Sequence, residues 1–228
     1  YKDYASSPMG DIDLLVKPED FYKAHILLIE LGYEFADRSP FEIKNIKEAF
    51  KNGGAEYKCK LINKKILWIE LQWRSVAGRW IQPSQEPSAE ILFKNSIPIE
   101  NSTCRLLSPE DNLLQVCLHT AKHSYVRAPG FRLHTDVDRI VNFNTINWDE
   151  FCRKVEYLRV RTPVYLALLI PKVLLRSKVP KEVLQRLDFS PVKHLIIQNW
   201  LLKVGLFGPD EKKWTKLGYI LFNLCLFD

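Results

Sequence analysis

Near the start of the chain an apolar run carries two acids. In Gly10-Asp11-Ile12-Asp13-Leu14-Leu15-Val16 the residues alternate with the two-residue period of a strand. Ile12, Leu14 and Val16 take one face; Asp11, Asp13 and Leu15 take the other. A strand this apolar belongs against a core, yet a carboxylate withdrawn from water must be paired, must hold a metal, or must give up its charge. Two carboxylates two residues apart on a strand point to the same side. Hard oxygen ligands so placed suit Mg²⁺, which takes one or two carboxylates together with substrate phosphates. The plain alternative is a strand that ends at the surface with both acids in water. Gly10 before the pair, the apolar continuation after it and a third mid-strand acid favour the metal-binding reading.

That third acid lies in a hairpin. Residues 55–62 and 66–73 are β-prone runs joined through Asn63-Lys64-Lys65. In the second run Trp68, Glu70 and Gln72 share one face, and Leu67, Ile69, Leu71 and Trp73 share the other. Glu70 would complete, with Asp11 and Asp13, an acidic cluster of the kind that holds two metals in phosphoryl-transfer sites. Between the strands, Pro18-Glu19-Asp20 opens a helix to about Leu31, with Phe21, Ala24, Leu27, Leu28 and Leu31 at helical spacing and Gly32 as the stop. Residues 39–54 read as a second short helix ended by Asn52-Gly53-Gly54. Residues 77–100, rich in Pro, Ser and Gln, read as a connection with one short strand.

From Ser108 onward the signals are helical. Ser108 with Asp111 makes a capping-box-like start for a helix to about Tyr125, and Asn147 with Glu150 repeats the device for a helix through Leu158. Thr162-Pro163, Pro180 and Pro191 open three more, since proline suits a first helical turn. Trp200 and Trp214 read as core, because Leu195, Ile196, Leu201, Leu217, Ile220 and Leu221 accompany them at helical spacing. The fold class is α+β: a small mixed sheet with helices in residues 1–104, followed by an all-helical C-terminal domain in residues 105–228. The first domain is expected to lack its N-terminal start.

The charge balance narrows the partners. With 33 basic and 27 acidic residues the net charge is +6, a mild excess that suits phosphate handling. The basic residues are spread along the chain, so no nucleic-acid partner is expected. The apolar stretches around residues 164–175 and 217–227 are too short to span a bilayer, so no membrane is expected either. Five widely spaced cysteines without a C-x-x-C indicate neither a disulfide framework nor a zinc ribbon, and a reducing, cytoplasmic setting is the simpler reading.

An ordered set of motifs resembles a bacterial family of nucleotidyltransferases within the polymerase-β-like superfamily. It comprises Met9–Val16, Leu31-Gly32-Tyr33, Glu70-Leu71-Gln72-Trp73, Leu107–Asp111, His119 with His123, Asp136, and Asn147–Glu150, from about Tyr4 to about Leu158. The resemblance implies a nucleotidyltransferase-like sheet and transfer of a nucleoside monophosphate from an NTP donor, with Mg²⁺ or Mn²⁺ held by Asp11, Asp13 and Glu70. Asp11 and Asp13 would hold the ions, and Glu70 would bind the second ion and favour deprotonation of the acceptor hydroxyl. Gly10, His119, His123 and Asp136 would contact nucleotide or substrate. Two departures stand out: Ser7 occupies a position where the family often has arginine, and Gln72 one where histidine is common. The Gly-Ser or Lys-Gly pair that holds the triphosphate in the superfamily would lie upstream of residue 1.

His119 and His123, four apart on a helix, share one face, and a zinc site there is conceivable. Spacing fixes no third ligand, so helix packing or nucleotide contact is the preferred role. Three functions follow for the whole chain. The first is an Mg²⁺-dependent nucleotidyltransferase acting on a small-molecule, sugar or peptide acceptor, with release of pyrophosphate. The second is a catalytically weakened nucleotide-binding or regulatory module of the same fold. The third and weakest is a D-x-D glycosyltransferase, which needs a nucleotide-binding α/β unit ahead of the motif.

Overall fold

The computed structural model describes residues 10–36, 45–61, 65–76, 81–127, 130–205, 216–226 and 228. The chain divides into two compact units, Tyr1–Lys94 and Asn95–Asp228. The architecture is α+β, with a small mixed sheet in the first unit and most of the helices in the second.

In the first unit, strand β1 (Ile12–Leu15) leads through a 3₁₀ turn at Pro18–Asp20 into helix α1 (Phe21–Glu30) and the short β2 (Glu34–Phe35). Helix α2 (Ile46–Asn52) is capped by Asn45, whose Oδ1 accepts from the N–H groups of Lys47 and Glu48 at 3.1 Å each. Strands β3 (Gly54–Lys60) and β4 (Ile66–Gln72) form the expected hairpin, closed by the Leu61 N–H donating to Lys65 O at 2.8 Å. Its tip, residues 62–64, lies outside the described residues. The strand order is β1-β4-β3-β2, with β1 parallel to β4 and the other pairs antiparallel. A parallel pair needs a long crossover, and α1, β2, α2 and β3 all fall between β1 and β4.

One face of this sheet carries the core. Ala55 and Tyr57 of β3 and Ile69 and Leu71 of β4 pack with Phe21 and Leu28 of α1 and Ala49 of α2. Burying each of the larger side chains stabilises the unit by about 1.5–3 kcal/mol. The Tyr57 hydroxyl, fully enclosed, pairs with His25 Nδ1 at 2.8 Å. Burial lowers the pKa of His25 and raises that of Tyr57. Leu27 and Leu31, expected on the apolar face of α1, are 57% and 72% exposed. The helix meets the sheet along Phe21, Ala24 and Leu28, the i, i+3, i+7 row, which turns Leu27 outward, while Leu31 stands past the last helical residue as the C-cap. Gly53 ends α2 at φ +94°, and a Cβ there would lie 2.6 Å from Arg74 Cδ, so glycine is required twice over. Arg74 itself is buried against Glu86, which also accepts from the Val76 N–H at 2.5 Å.

The segment read as a plain connection holds more than a strand. Helix α3 (Ala89–Asn95) starts after Pro87-Ser88 and buries Ala89 and Leu92. A helix of seven residues with two buried positions leaves little periodicity to read. In the second unit, a two-stranded ribbon of β5 (Ile97–Pro98) and β6 (Arg105–Leu106) precedes α4 (Pro109–Lys122), α5 (Phe131–Phe143), α6 (Trp148–Tyr157), α7 (Arg161–Leu175), α8 (Lys181–Leu187), α9 (Pro191–Val204) and α10 (Lys216–Leu226). The expected caps are present: Ser108 Oγ accepts from the Asp111 N–H at 3.2 Å, and Asn147 Oδ1 from the Glu150 N–H at 3.1 Å. Helices also begin near Pro163, Pro180 and Pro191 as expected. No side chain caps α5, which follows Gly130 at φ +66° and so carries no start signal of the usual kind.

The core of this unit runs through Leu113, Leu118, Val137, Phe151, Val164 and Leu168. The last helices differ from expectation. Trp200 is half-buried and stacks on Phe222 at 5.9 Å, but Leu195, Ile196, Leu217, Ile220 and Leu221 are 47–66% exposed. α9 is apolar on every side, so spacing does not select the buried face; Ile197 is its only buried residue. Trp214 lies outside the described residues.

Candidate functional site

The parallel pairing of β1 with β4 sets Asp13 directly opposite Glu70, and the hairpin sets Glu70 directly opposite Glu56. Cross-strand partners share a face. Three carboxylates therefore stand in one row across β1, β4 and β3, on the face opposite the core. Like charges directly opposite one another in a sheet repel. The next row contains Leu15, Gln72 and Gly54. The row on the other side, toward β2, pairs Lys58 with Glu34 at 3.4 Å, an ordinary surface ion pair.

Gln72 joins the acids. Its Nε2 donates to Asp13 Oδ1 at 3.2 Å and to Glu70 Oε2 at 2.9 Å. Only the NH₂ end of the amide suits a position between two carboxylates. Gln72 is 9% exposed, whereas Glu70 is half-buried and Asp13 is exposed. Asp11 precedes β1 and lies, by alternation, on the side of Asp13; it is half-exposed. Gly10 is exposed with open space where a Cβ would stand, so no close approach demands glycine there.

The donor set bears on the expected cation. The Gln72 amide links the Asp13 and Glu70 carboxylates, and Mg²⁺ takes one or two carboxylates together with substrate phosphates. Among the described residues no group of three or more His, Cys, Asp or Glu side chains is gathered to hold a metal. Asp13 and Glu70 are hard oxygen donors of the chemical kind such a cation takes, one on each of two paired strands. They do not show a ready-made cage.

The histidines of the helical unit have other surroundings. His119 lies in the last turn of α4 and His123 at its C-cap, with rings stacked at 4.8 Å and 27°. Asp136 is half-buried on α5, two residues from both His134 and Asp138, which are buried. Residues two apart on a helix face different ways, so Asp136 is turned off the core-facing side. His134 Nε2 meets Tyr125 O at 2.8 Å, and burial lowers its pKa. Asp138 accepts from Ser177 Oγ at 2.5 Å and Asn142 Nδ2 at 2.7 Å. The bonds to Tyr125 and Ser177 tie α5 to the segments that follow α4 and α7, and the bond to Asn142 stays within α5.

Sequence reasoning missed Glu56. The strand period sets it, with Lys58 and Lys60, on the side away from Tyr57, but only the hairpin register puts it opposite Glu70. Ser7, the other departure noted in the sequence, lies outside the described residues.

The first unit therefore defines a class: a small mixed sheet that buries one face under helices and displays opposed carboxylates on the other. The particular family follows from comparison. A family model described as an uncharacterised nucleotidyltransferase matches residues 1–176, and the chain belongs to that family. The match extends from the sheet through α7. No curated protein and no solved structure is significantly similar to the chain. No helix among the described residues is long and apolar enough to cross a membrane.

Proposed function

We propose that the protein is a divalent-metal-dependent nucleotidyltransferase that moves a nucleoside monophosphate from an NTP to a hydroxyl-bearing small-molecule, sugar or peptide acceptor. Family membership supports the general activity. The observation that carries the finer reading is the parallel register that sets Asp13 beside Glu70, with one amide bridging both carboxylates. Such a pair suits a small hard cation that also binds triphosphate oxygens.

Asp13 and Glu70 would hold Mg²⁺, with Asp11 beside them on the same side of the strand. The bound ion would neutralise charge on the triphosphate and lower the pKa of the acceptor hydroxyl. The acceptor oxygen attacks the α-phosphorus in line, the bond to the bridging oxygen of the β-phosphate breaks, pyrophosphate leaves, and the hydroxyl proton passes to solvent or to a carboxylate. The protein contributes position and fixed charge rather than covalent chemistry. Asp13 is exposed, which suits a ligand that must meet a nucleotide arriving from solvent.

Isothermal titration of ATP, GTP, CTP and UTP tests this, with Mg²⁺, with EDTA, and with Asp11→Ala/Asp13→Ala protein. The expected result is metal-dependent binding of one nucleotide, abolished by the double substitution. Metal-independent binding that survives both changes would overturn the proposal. Binding that persists with no pyrophosphate release, once acceptors of each class have been supplied, would identify a binding module instead.

A further inference from the structure

We infer that Gln72 is the positioning residue of this site, the group that holds the Asp13 and Glu70 carboxylates side by side. The inference rests on the proposed function and goes beyond it, because it assigns the geometry of the acidic pair to a third side chain.

The register forces Asp13 and Glu70 onto adjacent positions of one face. Like charges opposed across strands repel one another. The Gln72 amide has two hydrogens on one nitrogen, and the structure uses both, at 3.2 Å and 2.9 Å. Hydrogen bonds to charged groups are about twice as strong as neutral ones. One oxygen of each carboxylate is thereby drawn to a common nitrogen, which fixes how both groups turn.

The side chain can do this because its own position is determined. Gln72 ends β4, two residues from Glu70 and thus on the same face, and it is 9% exposed. Its neighbour across the hairpin is Gly54, which contributes no side chain to that face. Its neighbour on β1 is Leu15, an apolar group that cannot compete for the amide. The Val16 N–H donates to the Gln72 carbonyl at 2.8 Å, so the backbone beneath is also tied to β1. A shorter donor would not span both acids. A neutral imidazole has one N–H and would serve only one at a time.

Outer partners that orient metal ligands typically account for about 10–100-fold in metal affinity. The test therefore reads metal binding and a metal-free coupling separately, on the full chain. In metal-free buffer, urea midpoints are measured for wild type, Gln72→Leu, Asp13→Asn/Glu70→Gln and the triple variant. Gln72→Leu should lower the midpoint in the wild-type background and lower it less when both acids are already neutral. An equal shift in the two backgrounds would overturn the inference.

Mn²⁺ is then titrated calorimetrically into wild type, Gln72→Leu and Gln72→His. Binding by Gln72→Leu should weaken about 10–100-fold, with Gln72→His recovering part of the loss. If wild type and Gln72→Leu bind Mn²⁺ equally, the inference fails and the proposed function stands. If wild type binds no Mn²⁺ even with nucleotide present, the proposed function fails first, and the positioning role falls with it.

Discussion

The two units use the same acidic side chains in opposite ways. In the helical unit Asp111 is buried and surrounded by donors: Lys154 Nζ at 2.8 Å, Ser108 Oγ at 3.0 Å and Asn95 Nδ2 at 3.1 Å. Burial works against the charge of Lys154, but its hydrogen bonds and ion pairs with Asp111 and Glu150 prevail and raise its pKa. In the sheet unit Asp13, Glu70 and Glu56 face one another, and the bridge shown between the first two is a neutral amide. A carboxylate surrounded by cations and caps is holding a fold together. Carboxylates opposed across strands repel one another, and the proposed function gives them a cation to receive.

The comparison can be tested by removing one acid from each region. Asp111→Ala should cost about 3 kcal/mol, since it strips a mostly enclosed lysine and two further donors of their acceptor. Urea denaturation reads this directly, and a loss below about 1 kcal/mol would break the contrast. Next in size is Asn147→Ala, which removes the cap of α6 and should cost about 1 kcal/mol. It should leave nucleotide titrations unchanged.

A smaller effect is expected from pH. His25 and His134 are both held below the usual histidine range by burial. Each is neutral when folded at pH values where the unfolded chain has begun to bind a proton. Stability should therefore be fully present above about pH 6.5 and fall as the pH drops below it. Replacing His134 with glutamine should flatten this slope; an unchanged slope would show that other groups carry it. The smallest effect sharpens the contrast most. Glu70→Gln relieves like-charge repulsion but weakens the bond from Gln72, so stability should change by no more than about 1 kcal/mol, while metal-dependent nucleotide binding is lost. A large loss of stability would return Glu70 to a structural role.

How much of this was legible in the sequence depended on how local the signal was. Caps, proline starts and the β3–β4 hairpin are written within a few residues and appear where expected. The acids Asp11, Asp13 and Glu70 stood out because charge in the middle of an apolar strand contradicts its surroundings. Helix α3 was too short to show a period, and α5 lacked a cap. The faces of α1 and α9 were misjudged because apolar residues on several sides do not say which side will be covered.

By itself the sequence determined the α+β class, the alternation that puts acids on one face and apolar residues on the other, and the helix starts marked by a cap or a proline, because these follow from neighbours within one turn or one strand. Only the tertiary structure decided that Asp13 stands beside Glu70, that Glu56 joins the row, and that Gln72 bridges the first pair. Strand order and register are set by how the whole sheet packs on α1 and α2. A slip of one residue would have turned the same acids into the core.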